Sequence, residues 1–268
     1  MRRSIGSIAA AQQTMVLMSY IKYAFSHQSL RIVRQKVGAG GTAPAPPSLP
    51  RLKAEYGFIR QNAAPMLSVT ALSCVRGERR LFSGLDFSVG PGEWLHVQGE
   101  NGAGKTSLLR ILASLSPPAE GEIRWRDAPI AALAEDYRRE LLFLGHHGAV
   151  KEDLTPFENL MLAARLDSTP LEEAEALKAL ARFGLRGRED LAVRFLSAGQ
   201  KRRVLLARLA VRKAMLWILD EPFTALDVKA VEMLSNLIVE HVSGGGIAIL
   251  TSHQTIPLPN GKILQVGA

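Results

Sequence analysis

Beyond residue 65 the apolar positions fall into short, regular groups. LSVTALS (67–73) and LDFSV (85–89) alternate apolar and polar side chains, the period of a half-buried strand, and the turn Gly90–Gly92 follows the second. EWLHVQ (93–98) predicts a strand that feeds a glycine loop. LWIL (216–219) and GIAILTS (246–252) are continuous apolar runs, suited to central parallel strands covered on both faces. Helical spacing appears in SLLRILASL, where Leu108, Ile111, Leu112 and Leu115 share one face before Pro117-Pro118. Thr155-Pro156-Phe157-Glu158 is a capping box with proline at the first helical position, and Thr169-Pro170-Leu171-Glu172 repeats the device. The pattern predicts an α/β core with a mostly helical insertion at about 135–210 and no internal repeat.

Residues 1–65 lack this periodicity. GAGGTAPAPPSLP (38–50) reads as a flexible Gly/Pro/Ala linker. The stretch before it is acid-free and mildly amphipathic. A targeting peptide, a start codon assigned too early (Met66 opens the patterned region) and a flexible appendage all fit it, and the last two are favoured. Gln12, Gln13 and Lys22 interrupt its apolar runs, so none reaches the roughly 18–20 residues of a membrane span. Charge changes the picture only once it is located. The chain carries 33 Lys/Arg, 25 Asp/Glu and a net charge of +8. Residues 1–65 hold nine of the basic residues and one of the acids, so the remainder carries 24 of each. The basic character belongs to the tail, and a nucleic-acid partner gains no support from it. A single cysteine, Cys74, excludes a disulfide framework and a cysteine-built zinc site, and reads as a core residue.

Chemistry concentrates at four places. Gly99-Glu100-Asn101-Gly102-Ala103-Gly104-Lys105-Thr106, followed by Ser107, fits the phosphate-loop pattern between a strand and a helix. Its glycines let backbone N–H groups turn inward around phosphate oxygens, and the helix N-terminus adds positive potential. Lys105 is placed to reach the β/γ-phosphates and the Thr106 hydroxyl to ligate Mg²⁺. The strand 216–219 ends in Asp220-Glu221, carboxylates at the sheet edge beside that loop. Asp220 is the candidate on the Mg²⁺ side, Glu221 the candidate base for the attacking water. Ser197, Ala198, Gly199 and Gln200 open the helix KRRVLLARLAV, an anion-attracting N-terminus. His253 ends the strand 246–252.

Leu196-Ser197-Ala198-Gly199-Gln200 resembles the LSGGQ signature of ABC-type ATPases, Thr224-Ala225-Leu226-Asp227 their D-loop, and His253 their switch histidine. Order and spacing of Lys105, Ser197, Asp220 and His253 carry the resemblance, and GTPases and small-molecule kinases lack the signature helix. The resemblance implies a mostly parallel core sheet, an antiparallel β subdomain and a helical subdomain. It also implies ATP and Mg²⁺ as ligands, and a head-to-tail homodimer in which one copy's signature closes on the other's nucleotide. Two adjacent histidines, His146 and His147, follow an apolar strand. Counted back from Leu154-Thr155, His146 takes the place of the family's glutamine-loop residue; a neutral imidazole both donates and accepts, as an amide does. Haem or metal ligation by the pair is the weaker alternative. Arg76 stands where the family stacks an aromatic on adenine, which puts adenine selectivity in question; a guanidinium plane also stacks on a base.

LGHHGAVKEDLTPFENL, LSAGQKRRVLLARL and LWILDEPFTALD together resemble the CcmA family, over about residues 66–268. CcmA proteins are the ATP-binding subunits of cytochrome c maturation complexes. The resemblance implies a peripheral protein on the cytoplasmic face of the inner membrane, partnered by an integral CcmB-like subunit and CcmC-, CcmD- and CcmE-like proteins. The alternative is the ATPase subunit of another ABC exporter.

Overall fold

A computed structural model of the protein describes residues 65–145, 150–253, 255–256 and 258–267. All lie in one of the two units into which the chain divides, Phe58–Ala268. Long alternating strands come first. β1 (Leu67–Arg76) and β2 (Arg79–Val89) pair antiparallel. With β4 (Glu120–Trp125) and β5 (Ala128–Pro129) they form a four-stranded sheet in the order β2-β1-β4-β5. The apolar runs make a second, parallel sheet from β3 (Trp94–Gln98), β6 (Leu141–Leu144), β7 (Leu216–Leu219), β8 (Ile247–Thr251) and β9 (Lys262–Gln265), ordered β6-β7-β8-β3-β9.

Side-chain alternation divides the core in two. Leu95, Val97, Leu216, Ile218, Ile247 and Ile249 face α1 (Lys105–Leu112) and the antiparallel sheet. Their neighbours Trp94, Trp217, Leu219, Ala248 and Leu250 face the opposite layer. That layer holds α7 (Val228–Ser243) and the helical segment: α3 (Pro156–Leu166), α4 (Glu173–Arg182), α5 (Ala198–Leu206) and α6 (Arg208–Val211). A further helix, α2 (Ile130–Arg139), precedes β6. Strand β6 therefore falls inside the range expected to be mostly helical, and the helices that follow it start at Pro156.

Thr155 caps α3 as its sequence predicts. Its hydroxyl accepts from the Glu158 N–H at 3.1 Å, and the Glu158 carboxylate accepts from the Thr155 N–H at 2.8 Å. The second expected capping box starts no helix: α4 begins at Glu173 with Glu172 as its N-cap. Thr169 closes α3 instead. Its N–H bonds the Ala164 carbonyl at 2.8 Å and its hydroxyl donates to the Asp167 carbonyl at 3.4 Å, just after Ser168 turns through φ 52°. Thr169 is thereby held in the C-terminal turn of α3, and the chain runs three residues further before α4 starts. Leu115 also departs from expectation. The helix stops at Leu112, and Leu115 is 53% exposed rather than on the buried face.

Candidate active site

Strand β3 delivers the chain into the loop 99–104, and the loop's shape depends on glycine. Gly104 is the N-cap of α1 at φ 103°, where an added Cβ would lie 3.0 Å from Leu81 Cβ and 3.1 Å from Phe82 Cδ1. Gly99 at φ 152° would place a Cβ 2.3 Å from the Val266 carbonyl oxygen. Any side chain at either position would push the loop off the sheet. Gly104 leaves α1 without a side-chain cap, so the first N–H groups of the helix point into the loop. Lys105 folds back, its ammonium donating to the carbonyls of Gly99 at 2.7 Å and Glu100 at 3.0 Å.

Strand β7 sets the two carboxylates. Asp220 is 2% exposed and bonded through both oxygens: Thr106 donates to Oδ2 at 3.0 Å and Thr251 to Oδ1 at 2.8 Å. The next residue turns. Glu221 adopts φ 51°, a left-handed conformation costly for a residue with a Cβ. That turn is held by its N–H on the Thr251 hydroxyl at 2.9 Å and by Arg202, which donates to the carbonyls of Asp220 at 3.1 Å and Glu221 at 2.7 Å. Burial lowers the Arg202 pKa from its ordinary value, and the charges of Asp220 and Glu221 oppose the shift. Glu221 Oε1 lies 3.2 Å from His253 Nε2, and Oε2 accepts from the Thr224 hydroxyl at 3.3 Å.

These groups share one open cleft of about 360 Å³, lined by Arg76, Leu81, Asn101, Gly102, Gly104–Ser107, Asp220, Glu221 and His253. Of the residues singled out from sequence, Gly99, Glu100 and Ala103 belong to the same loop without lining the cleft. Ser197, Ala198, Gly199, Gln200 and Asp227 lie outside it. Ser197 caps α5 through a reciprocal box with Gln200, at 3.2 Å and 2.9 Å. A Cβ on Gly199 would sit 3.1 Å from the Ala225 carbonyl oxygen, so the signature and D-loop backbones nearly touch. Asp227 caps α7, accepting from the Ala230 N–H at 2.9 Å, and pairs with Arg203. The Ala230 bond, helped by Arg203, draws its carboxyl below the usual range. His146 and His147 lie outside the described residues.

Thr106 Oγ1 and Asp220 Oδ2 put a hydroxyl and a carboxylate oxygen side by side at 3.0 Å. Two hard oxygens next to a phosphate loop fit Mg²⁺, which takes few protein ligands and completes its shell with phosphate and water. No cluster of three or more His, Cys, Asp or Glu side chains suited to a metal occurs among the described residues. Sequence reasoning missed Thr251, Arg202 and Asn159. Asn159 stitches the 151–155 turn, accepting from the Lys151 N–H at 2.7 Å and donating to the Lys151 and Thr155 carbonyls at 2.9 Å each. A buried amide inside PFENLMLAARL, and a hydroxyl at the end of IAILT, were the available signals.

Residues 82–224 match the ABC transporter family. A cytochrome c biogenesis ATP-binding export protein CcmA of Dechloromonas aromatica is 55% identical over 201 residues, 75% of this chain and 98% of that protein. Its namesake from Escherichia coli K12 is 48% identical over 201 residues, 75% of this chain and 95% of that one. An ATP-binding subunit of an ABC transporter superposes with a TM-score of 0.63 at 29% identity, covering 70% of this chain and 80% of the other. A dimeric ATP-binding cassette bound to ADP and phosphate superposes at 0.66 with 23% identity, covering 75% and 94%, a likeness of fold. The chain belongs to the ABC transporter ATP-binding family and, within it, to the CcmA group of cytochrome c biogenesis ATP-binding export proteins.

Proposed function

We propose that this ATPase binds ATP–Mg²⁺ in the cleft of Lys105 and Glu221 and hydrolyses it to drive a membrane partner in c-type cytochrome biogenesis. The observation that carries the reading is the convergence of loop, carboxylates and switch histidine on one cleft. Amides of Asn101–Thr106 cradle the phosphates, and Lys105 leaves its loop carbonyls for the β/γ-phosphates. Thr106 and Asp220 hold Mg²⁺, which supplies charge neutralisation at the phosphates. Glu221, turned out of the strand, accepts the proton of the attacking water, and His253 at 3.2 Å orients it toward the γ-phosphate. Arg76 packs its guanidinium plane on the base.

Ser197 to Gln200 and Asp227 lie away from this cleft, which favours their acting on the nucleotide of a second copy in a head-to-tail homodimer. His146 takes the glutamine-loop role and couples closure to the partner. No helix among the described residues is long and apolar enough to cross a membrane. The likeness to CcmA export proteins favours a peripheral subunit on the cytoplasmic face of the inner membrane, docked on a CcmB-like protein and working with CcmC-, CcmD- and CcmE-like proteins. Affinity purification of the tagged full chain from membranes tests the assembly. Co-purification of an integral subunit and stimulated phosphate release are expected; association with ribosomes or DNA in place of a membrane subunit refutes it.

A further inference from the structure

One side of the parallel sheet is built from apolar strands: LLFL, LWIL and IAIL fill β6, β7 and most of β8. Strand β3 breaks that rule on one face. Leu95 and Val97 join the core toward α1, but the residues between and beyond them are His96, 7% exposed, and Gln98. A polar group as deep as His96 persists only when its hydrogen bonds are made. Here they are made in series. Gln265 on β9 donates its amide to Gln98 Oε1 at 2.9 Å. Gln98 Nε2 contacts His96 Nδ1 at 2.9 Å, and His96 Nε2 contacts the Ser252 carbonyl at 3.3 Å.

The direction of the series fixes the imidazole. An amide nitrogen only donates, so His96 Nδ1 is the acceptor and the ring proton sits on Nε2, aimed at Ser252. Burial keeps the ring below its ordinary pKa, in the neutral form this arrangement requires, although the bond to Ser252 and the charge of Glu221 pull the other way. Ser252 is the residue immediately before His253. The residue before that, Thr251, is anchored on the opposite side to Asp220 and to the Glu221 N–H. The end of β8 is therefore held on one side by the carboxylate strand and on the other by His96.

We propose that His96 is a positioning residue, which holds the Ser252 carbonyl and so sets the peptide that presents His253 to Glu221. The inference rests on the reading of His253 and Glu221 given above. His96 never reaches the nucleotide cleft; it acts through the backbone.

The test is steady-state ATP hydrolysis by the full chain co-purified with its membrane subunit, for His96→Leu, His96→Gln, His253→Ala and the double variant His96→Leu/His253→Ala. His96→Leu keeps bulk and loses both hydrogen bonds; kcat should fall about 3- to 10-fold with KM for ATP within about twofold, the scale of one hydrogen bond. His96→Gln can accept from Gln98 and donate to Ser252, and should return kcat to within about twofold of the parent. On the His253→Ala background the Leu substitution should cost nothing further, because its effect passes through His253. Wild-type kcat in His96→Leu, failed rescue by Gln, or an equal loss on the His253→Ala background would overturn the proposal while leaving the site reading intact. Wild-type kcat in His253→Ala would overturn both. If thermal unfolding shows that His96→Leu does not fold, Gln98→Leu breaks the same series one bond earlier and carries the same comparison.

Discussion

Two helices of this chain begin in phosphate-seeking motifs, and their first turns are built differently. α1 starts from Gly104 with no side-chain cap, and its N–H groups open into the nucleotide cleft. α5 starts from Ser197, and the box with Gln200 takes up the N–H groups of Ser197 and Gln200 from within. An uncapped end is an anion site at any moment. A capped one has fewer donors to offer, although a hydroxyl that accepts from Gln200 still has its proton to donate. The first is suited to hold ATP in a single chain, the second to add one directed contact when another copy arrives. Arg202 joins them mechanically: it belongs to α5 and holds the turn of Asp220 and Glu221.

The largest effect should come from the open end. Glu221→Gln keeps the size of the side chain and removes the base. Phosphate release should fall by about 10²–10⁴ while ATP binding survives. Equilibrium binding and phosphate release measured on one preparation separate the two; unchanged release would remove Glu221 from the chemistry and leave α1 as a binding site only.

Ser197→Ala probes the closed end. It should leave ATP affinity of the isolated chain within about twofold and lower turnover of the assembled complex by about 10-fold, the loss of one directed hydrogen bond. The helix also loses a cap, worth ~1 kcal/mol. Should affinity of the isolated chain fall as far as turnover, the signature would act on its own nucleotide and the division between the two helix ends would collapse.

That division was partly legible in the sequence, for a physical reason. Gly99–Thr106 and Ser197–Gln200 are contiguous, so their turn, cap and donor chemistry is written in neighbouring residues. Thr251 and Arg202 contribute only because β7 pairs with β8 and α5 packs beside the end of β7. Such long-range contacts leave no local pattern. Strand β9, mostly exposed, lacks an apolar signature and was missed for the same reason. Thr169 shows the reverse failure: a complete local motif that the fold places in the closing turn of the preceding helix.

The proposed coupling of closure to the partner through His146 is tested by substitution. His146→Gln should retain most activity, since an amide donates and accepts as the neutral ring does. His146→Ala should lower turnover of the complex several-fold, about the worth of one or two hydrogen bonds, with a smaller change in ATP affinity. His147→Ala should matter less. Equal losses in all three variants, together with loss of bound metal or haem, would replace the coupling role with ligation.

The smallest effect distinguishes the two regions by acid. Residues 150–212, which contain α5, have no histidine. The sheet and α7 contain two whose pKa burial lowers: His96, and His241, stacked on Trp217 at 3.8 Å. A histidine with a depressed native pKa is protonated more readily when unfolded. Its contribution is full above the unfolded value of about 6.5 and is lost as pH falls through the native one. Acidification from pH 7.5 to 5.5 stays above the range in which ordinary carboxylates titrate, so histidine protonation dominates the change. Hydrogen exchange, corrected for the intrinsic pH dependence of the amides, should show protection falling in β3, β8 and α7 before α3, α4 and α5. Equal loss in both regions would mean that sheet and helical segment open as one cooperative unit, and the signature end would then gain no independence from the phosphate-loop end that supports it.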